Sequence, residues 1–112
     1  MLLVHANAVS RAALAGLLQA NRYAVAGFST SAEGLRYLAN EPLPCLILYI
    51  LTGVDDGSME FRAAQMADPS FAAVPIIMCT AQEVGGGPRH RSFIDALLAL
   101  VGRHCDHVPY AN

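Results

Sequence analysis

Hydrophobic positions fall in short blocks separated by polar punctuation, and their spacing switches between strand-like and helix-like periods. Leu2-Leu3-Val4-His5 is an apolar run broken at Ala6-Asn7, where Asn7 is placed to cap a helix. Behind it Leu14, Leu17 and Leu18 recur at helical spacing in an alanine-rich stretch that fades from Gln19 to Arg22. Tyr23 to Phe28 reads as a strand. Thr30-Ser31-Ala32-Glu33 has the form of a capping box, in which the threonine oxygen accepts a backbone N–H and the glutamate reaches back. Leu35 and Leu38 continue that helix on one face, and Pro42 and Pro44 close it.

Cys45 to Leu51 is apolar throughout, which suits a central parallel strand covered on both sides. Thr52 to Gly57 is a loop, Ser58 can cap a helix running to about Ala67, and Asp68-Pro69 ends it. Val74 to Cys79 reads as a further buried strand stopping at Thr80. Gly85-Gly86-Gly87-Pro88 cannot continue a helix. Ser92 to His104 forms the last helix, and Val108 to Tyr110 is a candidate final strand. The expected order is β-α-β-α-β-α-β-α-(β) in a single domain spanning residues 1–112, a three-layer α/β sandwich with a parallel sheet. Ligands of such folds sit beyond the carboxyl ends of the strands. Those ends are His5 to Asn7, Phe28 and Ser29, Tyr49 to Gly53, and Cys79 to Ala81.

Composition narrows the chemistry. The chain is 54% apolar and 14% charged, which excludes disorder and favours elements buried on more than one face. All seven basic residues are arginine, there is no lysine, and of the nine acids only Glu33 and Glu41 precede Asp55. A net charge of −2 with scattered arginines supplies no basic patch, so no direct nucleic-acid contact is expected. No apolar run approaches the roughly 20 residues that span a bilayer, and Met1-Leu2-Leu3-Val4 lacks the basic leader of a signal peptide; a cytoplasmic chain without membrane contact is the expectation. Cys45, Cys79 and Cys105 are odd in number and widely spaced, so they read as buried small hydrophobes rather than a disulfide framework or a zinc motif.

Several short patterns recur together: Leu2-Leu3-Val4 with Arg11 and Leu14; Tyr23-x-Val25; Ser29-x-x-x-Glu33-x-Leu35; Pro44-x-Leu46-Ile47-Leu48; Asp56-Gly57; Asp68-Pro69; and Val74-Pro75-Ile76-Ile77-Met78-x-Thr80-Ala81. In this order and spacing, over most of residues 1–84, the chain resembles the receiver domain of bacterial two-component response regulators. The resemblance implies a flavodoxin-like (CheY-like) fold and a signalling role. Receivers hold Mg²⁺ with adjacent carboxylates after the first strand, because a hard cation requires oxygen ligands and phosphoryl transfer needs its charge neutralised. Here those positions are His5 and Ala6, followed by Asn7. The phosphoacceptor position falls on Tyr49 or Ile50, neither a carboxylate. The hydroxyl after the fourth strand is kept as Thr80, and the lysine of the fifth strand has no counterpart, with Val108 or Pro109 in its place.

Without metal carboxylates, a nucleophilic aspartate or the lysine, aspartyl-phosphate formation has no mechanism. The expectation is therefore a pseudo-receiver: not an enzyme, with no cofactor and no metal, acting through a protein partner or as a homodimer. One alternative is a small-ligand or metal sensor using the altered pocket around His5, Tyr49 and Thr80; another is an active receiver with an unusual acceptor. His5 with Asn7, Asp55 and Asp56 has donor types for a metal, although a lone histidine with loop carboxylates is ordinarily solvated. His104-Cys105-x-His107 has zinc donors at a spacing that matches no common site. Tyr49 is expected to fill the emptied acidic pocket, with its hydroxyl bonded to a neighbour such as Thr80.

From Phe93 to Val101 only Asp95 is polar, so that helix must be covered on two sides. Phe93, Ile94, Leu97, Leu98 and Val101 form the candidate interaction surface, the plainer reading being a helix buried in its own domain. Two alignments compete. In the favoured one, Cys105 to Pro109 is the fifth strand and the usual last helix is missing; in the other, Phe93 to Leu98 is that last helix, and the fourth helix and fifth strand are lost.

Overall fold

The structure, a computed structural model, describes residues 1–53, 56–85 and 90–109. Its elements are β1 (Leu2–Val4), α1 (Ala8–Ala20), β2 (Ala26–Phe28), α2 (Ser31–Asn40), β3 (Ile47–Leu51), α3 (Ser58–Ala67), α4 (Pro69–Ala72), β4 (Ile76–Thr80), α5 (Ala81–Gly85) and α6 (His90–His104). The four strands form one parallel sheet in the order β2-β1-β3-β4. The expected α/β alternation is present.

Alternation along the two central strands explains the layers. Leu3, Leu48 and Ile50 point to one face, where they meet Leu14 and Leu18 of α1 and Ile94, Leu97 and Val101 of α6. Leu2, Val4, Ile47 and Tyr49 point to the other, against Leu38 of α2 and Phe61 of α3. The six aliphatic side chains among these strand residues are 0–2% exposed. Each contributes about 1.5–3 kcal/mol by leaving water, so helical cover stabilises both faces. Gln65 is the buried polar exception. Its amide donates to the carbonyls of Phe71 (3.1 Å) and Val74 (3.0 Å) and its oxygen accepts from Arg62 (2.6 Å), tying α3, α4 and the entry to β4 together.

Local chemistry sets the helix ends. Asn7 accepts from the Ser10 N–H at 2.9 Å and Thr30 accepts from the Glu33 N–H at 3.2 Å, the two caps anticipated from sequence. The C-terminus of α1 closes with the Arg22 N–H on the Gln19 carbonyl and the Tyr23 N–H on that of Leu18, a pattern that needs a left-handed residue at Arg22, φ 68°.

Five expectations need correction. Asp68-Pro69 does not only end a helix: Asp68 accepts from the Ser70 N–H and Pro69 takes a first-turn position, starting α4. Gly57, not Ser58, is the N-cap of α3. The predicted strand from Tyr23 is shorter, because Tyr23 turns into the core and pairing with β1 begins at Ala26. No fifth strand follows among the described residues. Residues 105–109 run as an irregular tail, so the alignment that makes Cys105 to Pro109 a strand does not match the sheet; Tyr110 and the Gly86-Gly87-Pro88 part of the predicted loop lie outside the described residues.

The fifth correction concerns the cysteines. Cys79 is a buried hydrophobe as expected, but Cys45 and Cys105, with 60 residues of separation, are joined by a disulfide across 5.3 Å between Cα atoms. They meet because α6 runs back along the sheet and ends beside the residues that enter β3, a proximity with no trace in linear spacing. The tail is held further by stacking of His107 on Tyr23 (4.6 Å) and by the Val108 carbonyl, which accepts from the Arg22 guanidinium at 2.9 and 3.1 Å. Closing a loop of this length stabilises a fold by about 4 kcal/mol through the unfolded chain. Replacing Cys45→Ser is therefore expected to lower the unfolding free energy by about that amount in chemical denaturation. A loss below about 1 kcal/mol would show that the bridge constrains little.

Candidate functional site

From β1 the chain crosses to β2 on one side, and from β2 it returns past β1 to β3 on the other. The loops leaving β1 and β3 therefore diverge, opening a crevice above their carboxyl ends, where ligands of open parallel sheets bind. Val4, Tyr49 and Met78 lie level across β1, β3 and β4, and Leu51 is level with Thr80. The strand ends named from sequence are thus brought to one edge.

His5 follows β1 and is 2% exposed. Its Nδ1 accepts the Asn7 N–H at 3.2 Å, which assigns the ring proton to Nε2, a buried atom without a hydrogen-bond partner. Burial first, and the Arg11 charge second, lower its pKa below the ordinary value, so the ring is neutral near pH 7. Arg11 reaches it from α1: its stem crosses Gly27 of β2, and its guanidinium donates to the His5 carbonyl at 2.8 Å. Ala6 and Asn7 are exposed, and the Asn7 side chain is used as the α1 cap.

Tyr49 and Ile50, the two candidates for the acceptor position, point to opposite faces, Ile50 into the α1–α6 layer and Tyr49 into the α2–α3 layer. The Tyr49 ring lies 5.0 Å from that of Phe61. Its hydroxyl donates to the Asp56 carbonyl at 2.6 Å, not to Thr80 as expected. Burial, reinforced by the Asp56 charge, raises the phenol pKa, so the hydroxyl stays protonated.

Asp56 closes the loop after β3. One carboxylate oxygen accepts from the Thr52 N–H (3.1 Å) and the other from Ser58 (3.0 Å). Burial alone would raise this carboxyl, but those hydrogen bonds hold it below its ordinary value. Next to it Gly57 has φ +76°, and a Cβ there would come 2.7 Å from the Ser31 hydroxyl and 3.3 Å from that of Tyr49. The Asp-Gly pair has a mechanical reason here: carboxylate to pin the loop, glycine to let α3 approach α2.

Thr80 is spent in the same way. Its hydroxyl donates to Glu83 (3.0 Å) and accepts the Glu83 N–H (3.2 Å), a capping box that starts α5 and keeps the Glu83 pKa low. That box is legible as Thr80-Ala-Gln-Glu83, a signal the reading by strands passed over.

No group of three or more His, Cys, Asp or Glu able to hold a cation is found among the described residues. Asp55 lies outside them, the Asp56 oxygens face amides, and His5 has only an N–H to offer. In the His104-Cys105-x-His107 set, Cys105 is in the disulfide and His107 stacks on Tyr23.

The candidate interaction surface is also corrected. Ile94, Leu97 and Val101 are 9%, 2% and 0% exposed, and Phe93 and Leu98 pack against the same cluster. The apolar face of α6 covers the chain's own sheet. No helix among the described residues is long and apolar enough to cross a membrane. No protein-family profile, curated protein or solved structure matches the chain.

A neutral, buried His5 makes stability depend on pH. Its folded pKa lies below the ordinary value of 6.5, so the unfolded chain binds the extra proton; the stabilisation is complete above pH 6.5 and is lost as pH falls from there towards the folded value. Denaturation midpoints measured from pH 8 to pH 5 should therefore fall more for the native chain than for His5→Gln; parallel curves would remove His5 as the cause.

Proposed function

We propose that this chain is a receiver-like signalling module, a pseudo-receiver of flavodoxin-like fold, that performs no phosphotransfer and acts by protein contact. The observation that carries this reading is the internal use of Tyr49, Asp56 and Thr80, the hydrogen-bonding side chains at the ends of β3 and β4 and in the loop after β3. Tyr49 replaces the acceptor and hydrogen-bonds to Asp56, Asp56 holds Thr52 and Ser58, and Thr80 holds Glu83. The strand order β2-β1-β3-β4 agrees with the flavodoxin-like arrangement and supports the resemblance over residues 1–84.

Of the two alignments, the one that drops the fifth strand agrees with the four-stranded sheet. It also leaves β4, among the described residues, at the edge of the sheet, where a strand presents a row of N–H and C=O groups of the kind that accepts another strand. Met78 of β4 is 37% exposed, and Met59 and Met66, one heptad apart on α3, are 82% and 58% exposed. Flexible thioether side chains suit an adaptable contact surface. With the apolar face of α6 turned inward, these residues are the better candidates for the protein contact that the reading requires. The sensor alternative at His5, Tyr49 and Thr80 is disfavoured, since a ligand there would have to displace hydrogen bonds already made.

Incubation with a small acyl phosphate and Mg²⁺ should leave the intact mass unchanged; the gain of one phosphoryl group would overturn the reading. Light scattering over a dilution series should show reversible self-association weakened by Met78→Lys. A concentration-independent monomer would exclude the homodimer and leave a different protein as partner.

A further inference from the structure

We propose that the Cys45–Cys105 bridge is a redox-controlled latch: its reduction releases α6 from the sheet and opens the apolar face beneath it. The inference stands on the bridge and the packing alone and does not depend on the receiver-like reading.

The latch ties down the end of an element held otherwise by side-chain packing. Among the described residues, α6 is followed by no strand, and it docks through Ile94, Leu97 and Val101, with Phe93 and Leu98 beside them, in the cluster that contains Leu14, Leu48 and Ile50. Among the described residues, the tail beyond it meets the body through the His107–Tyr23 stack and through Val108, whose carbonyl accepts from the Arg22 guanidinium and whose N–H donates to the Arg22 carbonyl at 2.6 Å; both His107 and Val108 are exposed. The bridge ties the end of α6 to the entry of β3 across 60 residues of separation, so an undocked helix stays close to its site. Without it, the last described turn of α6 is held to the sheet by packing alone, and local opening of such an element needs less free energy than opening the whole fold.

The two halves of the bridge differ in access. Cys45 lies on the exposed turn before β3, whereas Cys105 is 7% exposed. A dithiol reductant reaches the Cys45 side. Its thiolate attacks the Cys45 Sγ, the Sγ–Sγ bond breaks, and Cys105 leaves as a thiolate that takes up a proton. The second thiol of the reductant then displaces Cys45 from the mixed disulfide. Two electrons pass from the dithiol to the bridge, leaving Cys45 and Cys105 as thiols and the reductant as its own disulfide. In a reducing compartment this equilibrium is drawn towards the open form, and in an oxidising one towards the closed form.

Cys79 supplies a built-in reporter. It is free, 4% exposed, and lies in the same apolar cluster as Ile94, Leu97 and Val101. Burial first, then the nearby Glu83 charge, pushes its thiol up to about 11, so it is unreactive while α6 is docked.

The test is alkylation of the full chain by a maleimide, read by intact mass. The oxidised protein should take no label when native and one, on Cys79, when unfolded. After dithiothreitol, the native protein should take three labels, with Cys79 reacting at least about tenfold faster than before and most far-ultraviolet dichroism retained. Cys45→Ser should label at Cys79 without reductant, and Cys79→Ser should remove that label. Three labels on unfolding without reductant would show that the bridge does not form. Labelling that stops at two after reduction would show that α6 stays docked and the bridge is a static staple. Collapse of the whole dichroism signal on reduction would show that the bridge holds the entire domain, not one helix.

Discussion

Everything in this chain follows from burying β1 and β3 on both faces. Side chains alternate across a strand, so an unbroken apolar run such as Ile47 to Leu51 sends half its residues each way and demands two helical layers. On one side α2, α3 and α4 arrive as connections between strands and are held at both ends by backbone. On the other, α1 connects β1 to β2, but among the described residues no strand follows α6. The disulfide to Cys45, next to the entry of β3, does the anchoring that a following strand would do.

The same economy governs the carboxyl edge of the sheet. A phosphoryl-accepting edge needs charges that are stabilised but uncommitted, and this one commits each group to a neighbour. A hydrogen bond from a buried tyrosine to a backbone carbonyl, and a carboxylate shared by two amides, stiffen the loop after β3. His5 alone keeps an unspent buried atom, the Nε2–H, beside a strand end. The edge is thus built like a core with a few polar fasteners.

Legibility varied with the range of the interaction. The Thr30–Glu33 box, the Asn7 cap and the helix from Ser58 to Ala67 were readable because each depends on residues within four positions. The Thr80–Glu83 box obeys the same rule, but Thr80 also ends the apolar run of β4, so two local patterns overlap on one residue. The partner of Tyr49 could not be chosen between Thr80 and Asp56 from sequence, since the answer depends on which face the ring takes. That choice is set by parity along β3, and either Tyr49 or Ile50 satisfied the spacing.

By itself the sequence determined the α/β alternation, the buried character of β1 and β3, and the absence of an acidic pair and lysine, because periodicity and composition are properties of the linear chain. Only the tertiary structure decided that α6 is inward-facing, that residues 105–109 are a tail rather than a strand, and that Cys45 pairs with Cys105. These depend on where a helix lands after crossing a sheet. Hydrophobic content says that a face must be covered, and only packing says by what.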